Sequence, residues 1–494
     1  MERRFLLVDA SVLPDVFIKV LKAKELLASG TVRNISSAAR QAGLSRSAFY
    51  KYKDCVFDAR NNRKVITVLA TLLDETGALQ ALLAGISAAG GSGVTINQST
   101  PESGAAQVAV SVRTDTMQMS VEEMLQKLRR QRTVVESIGG TKFAYPYVRK
   151  ALESGRSVVT SNKELVAPYG AELLALAREK GVAFLFEASV GGGTPIITPM
   201  HQCLAANVIT QVQGIVNGTT NFMLTKMARE EMGFDEALKI AQQLGYAETK
   251  DPGDDVDGPD ACRKIAILAS IAFGRHFYPK NITTRGIRAI TVADIAAAAR
   301  LDCVIKLIAW AKQDAEGHVT AAVEPMLVPR SNQLAGVDDV FNAVLVKGDM
   351  LGDVVFYGKG AGRLPTASAV VADVIDALKQ GDSVHDSLFW LPSEPFDGLL
   401  EDPTPAACYV RVKGLPATVL PALYGEGELV SDDGAEAAYL VTHIDPRGLE
   451  EAARKVTALG GKVELVLRQL SDGGRDTDGK GDSARHQRQR GRRV

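Results

Sequence analysis

Apolar positions recur at helical spacing from Phe17 to Lys53, in the segments FIKVLKAKELLASG, ISSAARQAG and SRSAFYKY. The pattern predicts a helical region over 1–62. Ala39 stands four residues before Gly43, and Ser45 opens the next segment. A small residue where helices touch, a glycine turn and a serine N-cap outline a helix-turn-helix-like unit. Two roles follow: Arg46, Tyr50 and Lys51 reach DNA from the second helix, or the hairpin packs on its neighbour. The mixed charge around it favours the second.

Residues 63–137 change period. RKVITVLATLL, GVTINQS, AAQVAVSVRT and TVVESI read as strands, and GALQALLAGISAAG and SVEEMLQKLRRQ as helices. Strand, helix, strand, strand, helix, strand is the order of a ferredoxin-like α+β unit. From Thr141 helices and strands alternate (YPYVRKALESG, SVVTSN, YGAELLALAREKG, VAFLFEASV), which predicts a parallel α/β layer over 138–190. Long helices with interspersed strands occupy 191–380, and 400–470 repeats the ferredoxin-like order with strands from Cys408 onward. Residues 471–494 are polar and aperiodic and predict a disordered tail. The fold class expected is thus α/β and α+β multidomain.

A chain of 494 residues with 46% hydrophobic residues has material for several packed cores. Its net charge of -1 offers no electrostatic case for nucleic acid or a membrane surface, despite the basic end RHQRQRGRRV. Five scattered cysteines, in no metal or redox spacing, suggest reduced thiols. Asp9 and Asp15 interrupt the N-terminal apolar residues, so no signal peptide is read, and no apolar run is long enough to span a bilayer. The expectation is a soluble cytoplasmic protein.

Four clusters carry candidate chemistry. In VVTSNKEL, Lys163 follows an apolar strand at a helix start, where α/β sheets collect ligands; alone it would be an ordinary surface lysine. In FEASVGGGTPII, Glu187 ends an apolar strand before three glycines, a loop that can turn carbonyl oxygens to a hard cation or simply form a tight turn. In AQQLGYAETKDPGDDVDGPDACRK, Asp260 and Lys264 share a helix face, either as an ion pair or as an oriented acid beside a carbonyl. In YGKGAGRLPTASAVV, Gly358, Gly360 and Gly362 precede a helix whose N-terminus can face a phosphate.

The third string resembles the catalytic segment of homoserine dehydrogenases, matching from Ala241 through Gly245, Asp251-Pro252, Asp255, Gly258, Asp260 and Lys264. GIVNGTTNFM and VEPMLVPRSNQLAGVDDVFNAV are also similar, so the resemblance covers roughly Val134 to Lys379. It implies NAD(P)-linked interconversion of aspartate semialdehyde and homoserine, a step toward threonine, methionine and isoleucine. It implies Lys264 and Lys163 as proton-transfer lysines, and Glu248, Asp255, Asp260 and Thr219 as substrate ligands. Lys163 and Gly362 would touch the cofactor. A monovalent cation (sodium) would sit on Glu187, through its side chain, and on the backbones of Val190, Gly192 and Thr194. The turn DETGAL (Asp74 to Leu79) resembles the ligand turn of ACT domains, with Thr76 where that family usually has Pro. The resemblance implies an amino-acid effector and pairing into a homo-oligomer. GLPATVL in the second unit lacks the counterparts of Asp74 and Gly77.

One element is missing from this pattern. No G-x-G-x-x-G stands between a first strand and helix, so the family's N-terminal glycine-rich cofactor segment is expected to be absent. TVVESI would then both complete the first ACT unit and resume the dehydrogenase. Two functions follow: a dehydrogenase with regulatory domains, or an inactive fusion that binds amino acids.

Overall fold

The computed structural model describes residues 12–32, 34–53, 55–56, 65–73, 78–100, 105–130, 133–380, 388–393 and 402–470. The chain divides into two compact units, Met1–Gln131 and Arg132–Val494.

The first unit opens with α1 (Asp15–Ala28), α2 (Ile35–Gln41) and α3 (Arg46–Tyr52). Ser45 caps α3 by accepting from the Ala48 amide at 3.1 Å, and Gly43 takes φ 70° at the turn. Val20, Ala23, Ala38, Ala39, Ala42 and Phe49 form its core. Arg46, Tyr50 and Lys51 are exposed, with the Arg46 guanidinium 5.8 Å from the Tyr50 ring centre.

There follow β1 (Val65–Leu73), α4 (Ala78–Ala88), β2 (Ser92–Gln98), β3 (Ala105–Arg113) and α5 (Val121–Arg130). The sheet is antiparallel in order β1-β3-β2. It has three strands, not the four expected, because the apolar stretch after Thr133 pairs elsewhere. Asp74, Thr76 and Gly77 of the ligand-like turn lie outside the described residues, as does the tail from 471.

The second unit begins with β4 (Val134–Glu136), α6 (Ala144–Glu153), β5 (Val158–Thr160), α7 (Lys163–Lys180) and β6 (Phe184–Leu185). These strands form a parallel sheet ordered β4-β5-β6. Its helices bury Val148, Leu152, Leu165, Leu173 and Leu174. The outer strand leaves Val135 exposed, and Ile138 beyond it is 58% exposed.

Then come β7 (Ile209–Ile215), α8 (Gly218–Glu230), α9 (Phe234–Gln243), α10 (Gly253–Val256), α11 (Pro259–Phe273), β8 (Thr283–Thr284), α12 (Val292–Arg300), β9 (Cys303–Gln313), β10 (Val319–Pro329), β11 (Phe341–Gly348), β12 (Gly352–Lys359) and α13 (Arg363–Gln380). The C-terminal part holds β13 (Ala406–Lys413), α14 (Leu420–Tyr424), β14 (Gly427–Asp432), β15 (Glu436–Ile444), α15 (Pro446–Ala458) and β16 (Lys462–Gln469). Its strand order β16-β13-β15-β14 is the four-stranded ferredoxin-like arrangement expected, with first and third strands central.

β16 also pairs in parallel with β10 through Met326↔Arg468 and Leu327↔Gln469. The result is one ten-stranded sheet, β12-β11-β7-β9-β10-β16-β13-β15-β14, with β8 on β10. α8, α11 and α12 pack on this sheet and carry the main core. Leu364, Val371, Ile375 and Leu378 form an exposed apolar stripe along α13. No described helix is long and apolar enough to cross a membrane.

Candidate active site

The site grows from the start of α11. Gly258 precedes it at φ 96°, where a side chain would be strained and its Cβ would lie 2.8 Å from Thr284. Pro259 then occupies the first turn, where its missing N–H costs nothing, and Asp260 follows. One turn later Lys264 lies above it on the same face.

Asp260 is 5% exposed. One carboxylate oxygen accepts from Lys264 Nζ at 2.8 Å and from Asn217 Nδ2 at 2.9 Å. The other is 3.1 Å from Lys163 Nζ. Burial pushes the Asp260 carboxyl up, but the Lys264 and Lys163 ammoniums and these hydrogen bonds outweigh it and hold it at about 2. Lys163 is pulled down by burial and raised overall by Asp260. Both groups therefore carry charge at neutral pH.

Lys264 Nζ also donates to the Val216 carbonyl at 2.8 Å. An ammonium has three donors, so one remains for a ligand. Lys163 comes from the end of β5, at the first turn of α7, whose N-cap Asn162 accepts from the Leu165 amide at 3.1 Å. Two elements far apart in sequence thus deliver two lysines to one carboxylate.

Asn217 was not singled out by sequence. As N-cap of α8 it accepts from the Thr220 amide at 2.8 Å, and its Nδ2 reaches Asp255 at 2.8 Å as well as Asp260. Its signal was an Asn before Gly-Thr-Thr at a helix start. Burial raises the Asp255 carboxyl; the Asn217 hydrogen bond opposes this and the Asp260 charge adds to it. Thr219 is buried with its hydroxyl on the Tyr246 carbonyl at 2.7 Å. Glu248 is placed differently from expectation: it stands exposed on the loop, and its backbone carbonyl accepts from Gln242. Its carboxylate makes no ion pair with Lys264 or Lys163 among the described residues. A loop residue is placed by its backbone path, which the acidic spacing does not encode.

The Glu187 loop is built differently. Its carboxylate accepts from the Ile196, Ile197 and Thr198 amides at 2.7, 2.9 and 2.7 Å. The side chain therefore holds a helix start in place of standing free over the glycines. The Glu187 amide in turn donates to Asp373 on α13 at 2.8 Å. Burial pushes the Asp373 carboxyl up to about 7, and the Glu187 charge adds to that. Val190 and Thr194 lie on a tight loop, with Thr194 N donating to Gly191 O at 2.8 Å.

Buried polar atoms without partners mark the neighbouring glycine turn: Thr194 Oγ1 and both amide atoms of Asn342. A Cβ at Gly358 would fall 2.7 Å from Thr194 Oγ1, and one at Gly360 2.1 Å from the Asn342 amide carbon. Such unpaired groups are rare in interiors, and this cradle fits a small polar group or cation. Gly362 follows, exposed at φ 118°, just before α13. Asn342 and Asp373 are further polar residues that the sequence pattern did not reveal.

Comparison with known proteins agrees with this geometry. A family model described as homoserine dehydrogenase matches residues 195–375, and one described as homoserine dehydrogenase, NAD binding domain, matches 77–187. The second match starts upstream of Val134, where motif spacing alone places the beginning of the resemblance. The homoserine dehydrogenase of Synechocystis sp. is 49% identical over 248 residues, 50% of this chain and 57% of that protein. That of Pseudomonas aeruginosa is 40% identical over 357 residues, 68% of this chain and 82% of that protein. The crystal structure of a homoserine dehydrogenase from Thiobacillus denitrificans superposes with TM-score 0.63 at 38% identity, covering 69% of this chain and 82% of that one. The chain spans 56% to 57% of the length of several curated relatives that it matches. Similarity on this scale, centred on the Asp260 network, shows that the chain belongs to the homoserine dehydrogenase family.

Proposed function

We propose that this chain interconverts aspartate semialdehyde and homoserine with NAD(P), in the cytoplasm, on the route to threonine, methionine and isoleucine. The observation that carries the proposal is the buried Asp260 carboxylate held between Lys163 and Lys264. The nicotinamide, when bound, supplies or takes the hydride. The chain's own work is on the proton. Reducing an aldehyde needs a proton at the carbonyl oxygen, and Lys264 keeps one N–H for it. Lys163, whose side chain is 30% exposed, brings a second ammonium to the solvent side of Asp260 for proton transfer. Asp260 keeps both lysines protonated and fixes their directions. Asp255 and Thr219 would hold the substrate beside this network, and Glu248 would reach it from the exposed loop before α10.

Lys163 and Gly362 would hold the cofactor. A monovalent cation would sit beside them on the carbonyls of Val190, Gly192 and Thr194, with Glu187 supplying nearby negative charge. The polar cradle of Thr194 and Asn342 supports a polar occupant there. We further propose that the glycine-rich first half of the cofactor domain is absent. The three-stranded parallel sheet, the exposed Val135 and Ile138, and the uncovered stripe on α13 support this reading. Losing a glycine turn and its helix N-terminus weakens pyrophosphate binding. Residues 63–137 and 400–470 are read as ACT-like units, the first of which pairs copies of the chain and takes an amino-acid effector.

The test is turnover of semialdehyde at increasing NADPH. The proposal expects activity that appears only at high cofactor and disappears in Lys264→Ala. No turnover at any NADPH concentration, with homoserine still bound, would sink the catalytic reading.

A further inference from the structure

A second polar cluster lies on the large sheet and shares no residue with the lysine site. Lys312 extends from β9 and Arg468 from β16, and Asp402, just before β13, stands between them. Lys312 Nζ is 2.7 Å from one Asp402 oxygen, and Arg468 Nη2 is 2.7 Å from the other. Asp402 is 8% exposed. Burial pushes its carboxyl up, and the Lys312 and Thr404 hydrogen bonds and the Arg468 charge bring it below the ordinary range. Lys312 and Arg468 also fasten Thr404, through its hydroxyl at 3.1 Å and its carbonyl at 2.7 Å.

These groups border a cavity of about 310 Å³ with Trp310 and Met326 in its lining and Gln211 among its polar groups. The charge does not balance. Two cations face one carboxylate, and the next acid, Glu324, is engaged by Trp310 Nε1 at 3.2 Å and lies 3.9 Å from Arg285. The remaining guanidinium N–H groups of Arg468 and the third ammonium N–H of Lys312 have no protein acceptor among the described residues. One surplus positive charge beside an indole and a thioether suits a monoanion with an apolar body. A phosphate, with nearly two negative charges and no apolar part, suits it less.

We propose that this cavity binds a small organic carboxylate, its head on Arg468 and Lys312 and its short apolar chain on Trp310 and Met326. Planar pairing with guanidinium is the strong form of this contact. The site joins β9 of the central sheet to β16 of the C-terminal unit, so its ligand would brace that junction.

Trp310 is one of two tryptophans in the chain and reports on the cavity by fluorescence. The probe is sodium isovalerate on the full chain, with isovaleramide and inorganic phosphate as controls. The expected result is a saturable change with isovalerate alone, absent in Trp310→Phe. Arg468→Gln should weaken it more than tenfold, but it also strands Asp402. Gln211→Glu therefore serves as the second variant: it leaves Arg468 and Asp402 in place, sets a carboxylate beside Lys312, its partner across β7 and β9, and should weaken binding tenfold in a chain that still melts cooperatively. A non-saturating change, an equal response to the amide, or undiminished binding by Gln211→Glu would overturn the proposal.

Discussion

The surroundings of Asp260 and the parallel sheet β4-β5-β6 belong to one compact unit, yet they differ in completeness. Around Asp260 the carboxylate is fully engaged: two lysines and an asparagine reach it, and Lys264 also donates to a backbone carbonyl. Around the parallel sheet, apolar side chains stay exposed on the outer strand and along α13. The Asp260 network is assembled from the starts of α7, α8 and α11. The lysine network is thus matched inside the unit, while the parallel sheet presents unmatched apolar surface.

The largest expected effect breaks the complete half. Lys264→Ala should lower turnover by about 10² to 10⁴, the usual range for a positioned acid, while homoserine binding falls much less. Steady-state kinetics against calorimetric binding separates the two. If turnover and binding fell together, Lys264 would be a ligand and not the proton donor.

Next comes Asn217→Ala. It removes the donor shared by Asp255 and Asp260 and the cap of α8, and it should cost about 1–3 kcal/mol of stability. The pH dependence of turnover should also move, because burial raises the Asp255 carboxyl and that same amide opposes the rise. A variant with unchanged Tm and pH profile would show that Asn217 is not the hub described.

Asp373 sharpens the comparison from the cofactor side. Its folded value near 7 lies above the 3.8 of an unfolded chain. The folded state thus holds the proton longer, and this contribution is full below pH 4 and lost as pH rises toward 7. Asp373→Asn keeps an oxygen for the Glu187 amide and cannot ionise. It should match the parent at pH 4 and be more stable at pH 8, by up to about 4 kcal/mol. Asp260 has the opposite sign. Its value near 2 contributes stability present above pH 4 and lost between 4 and 2, about 2 kcal/mol. Melting curves across pH read both, and a flat difference between parent and Asp373→Asn would contradict the burial argument.

The sequence was most legible where chemistry follows local spacing. Asp260 and Lys264 are one helical turn apart, and the 406–469 unit alternates cleanly enough to predict four strands. It was least legible where pairing is non-local. TVVESI has the same short apolar pattern whether it joins an antiparallel sheet or a parallel one, and only its partner β5 decides. The same holds for Asn217, Asn342 and Asp373, whose roles depend on residues far away in the chain. Glu187 was read for its charge, but three backbone amides claim its carboxylate.

The contrast between the two halves is tested most directly by titrating the purified full chain with homoserine and with NADPH in separate calorimetric experiments. The account predicts saturable homoserine binding that Asp260→Asn weakens at least tenfold, beside NADPH binding too weak to saturate at millimolar concentration. NADPH binding at low micromolar concentration, or no homoserine binding by a folded chain, would contradict it.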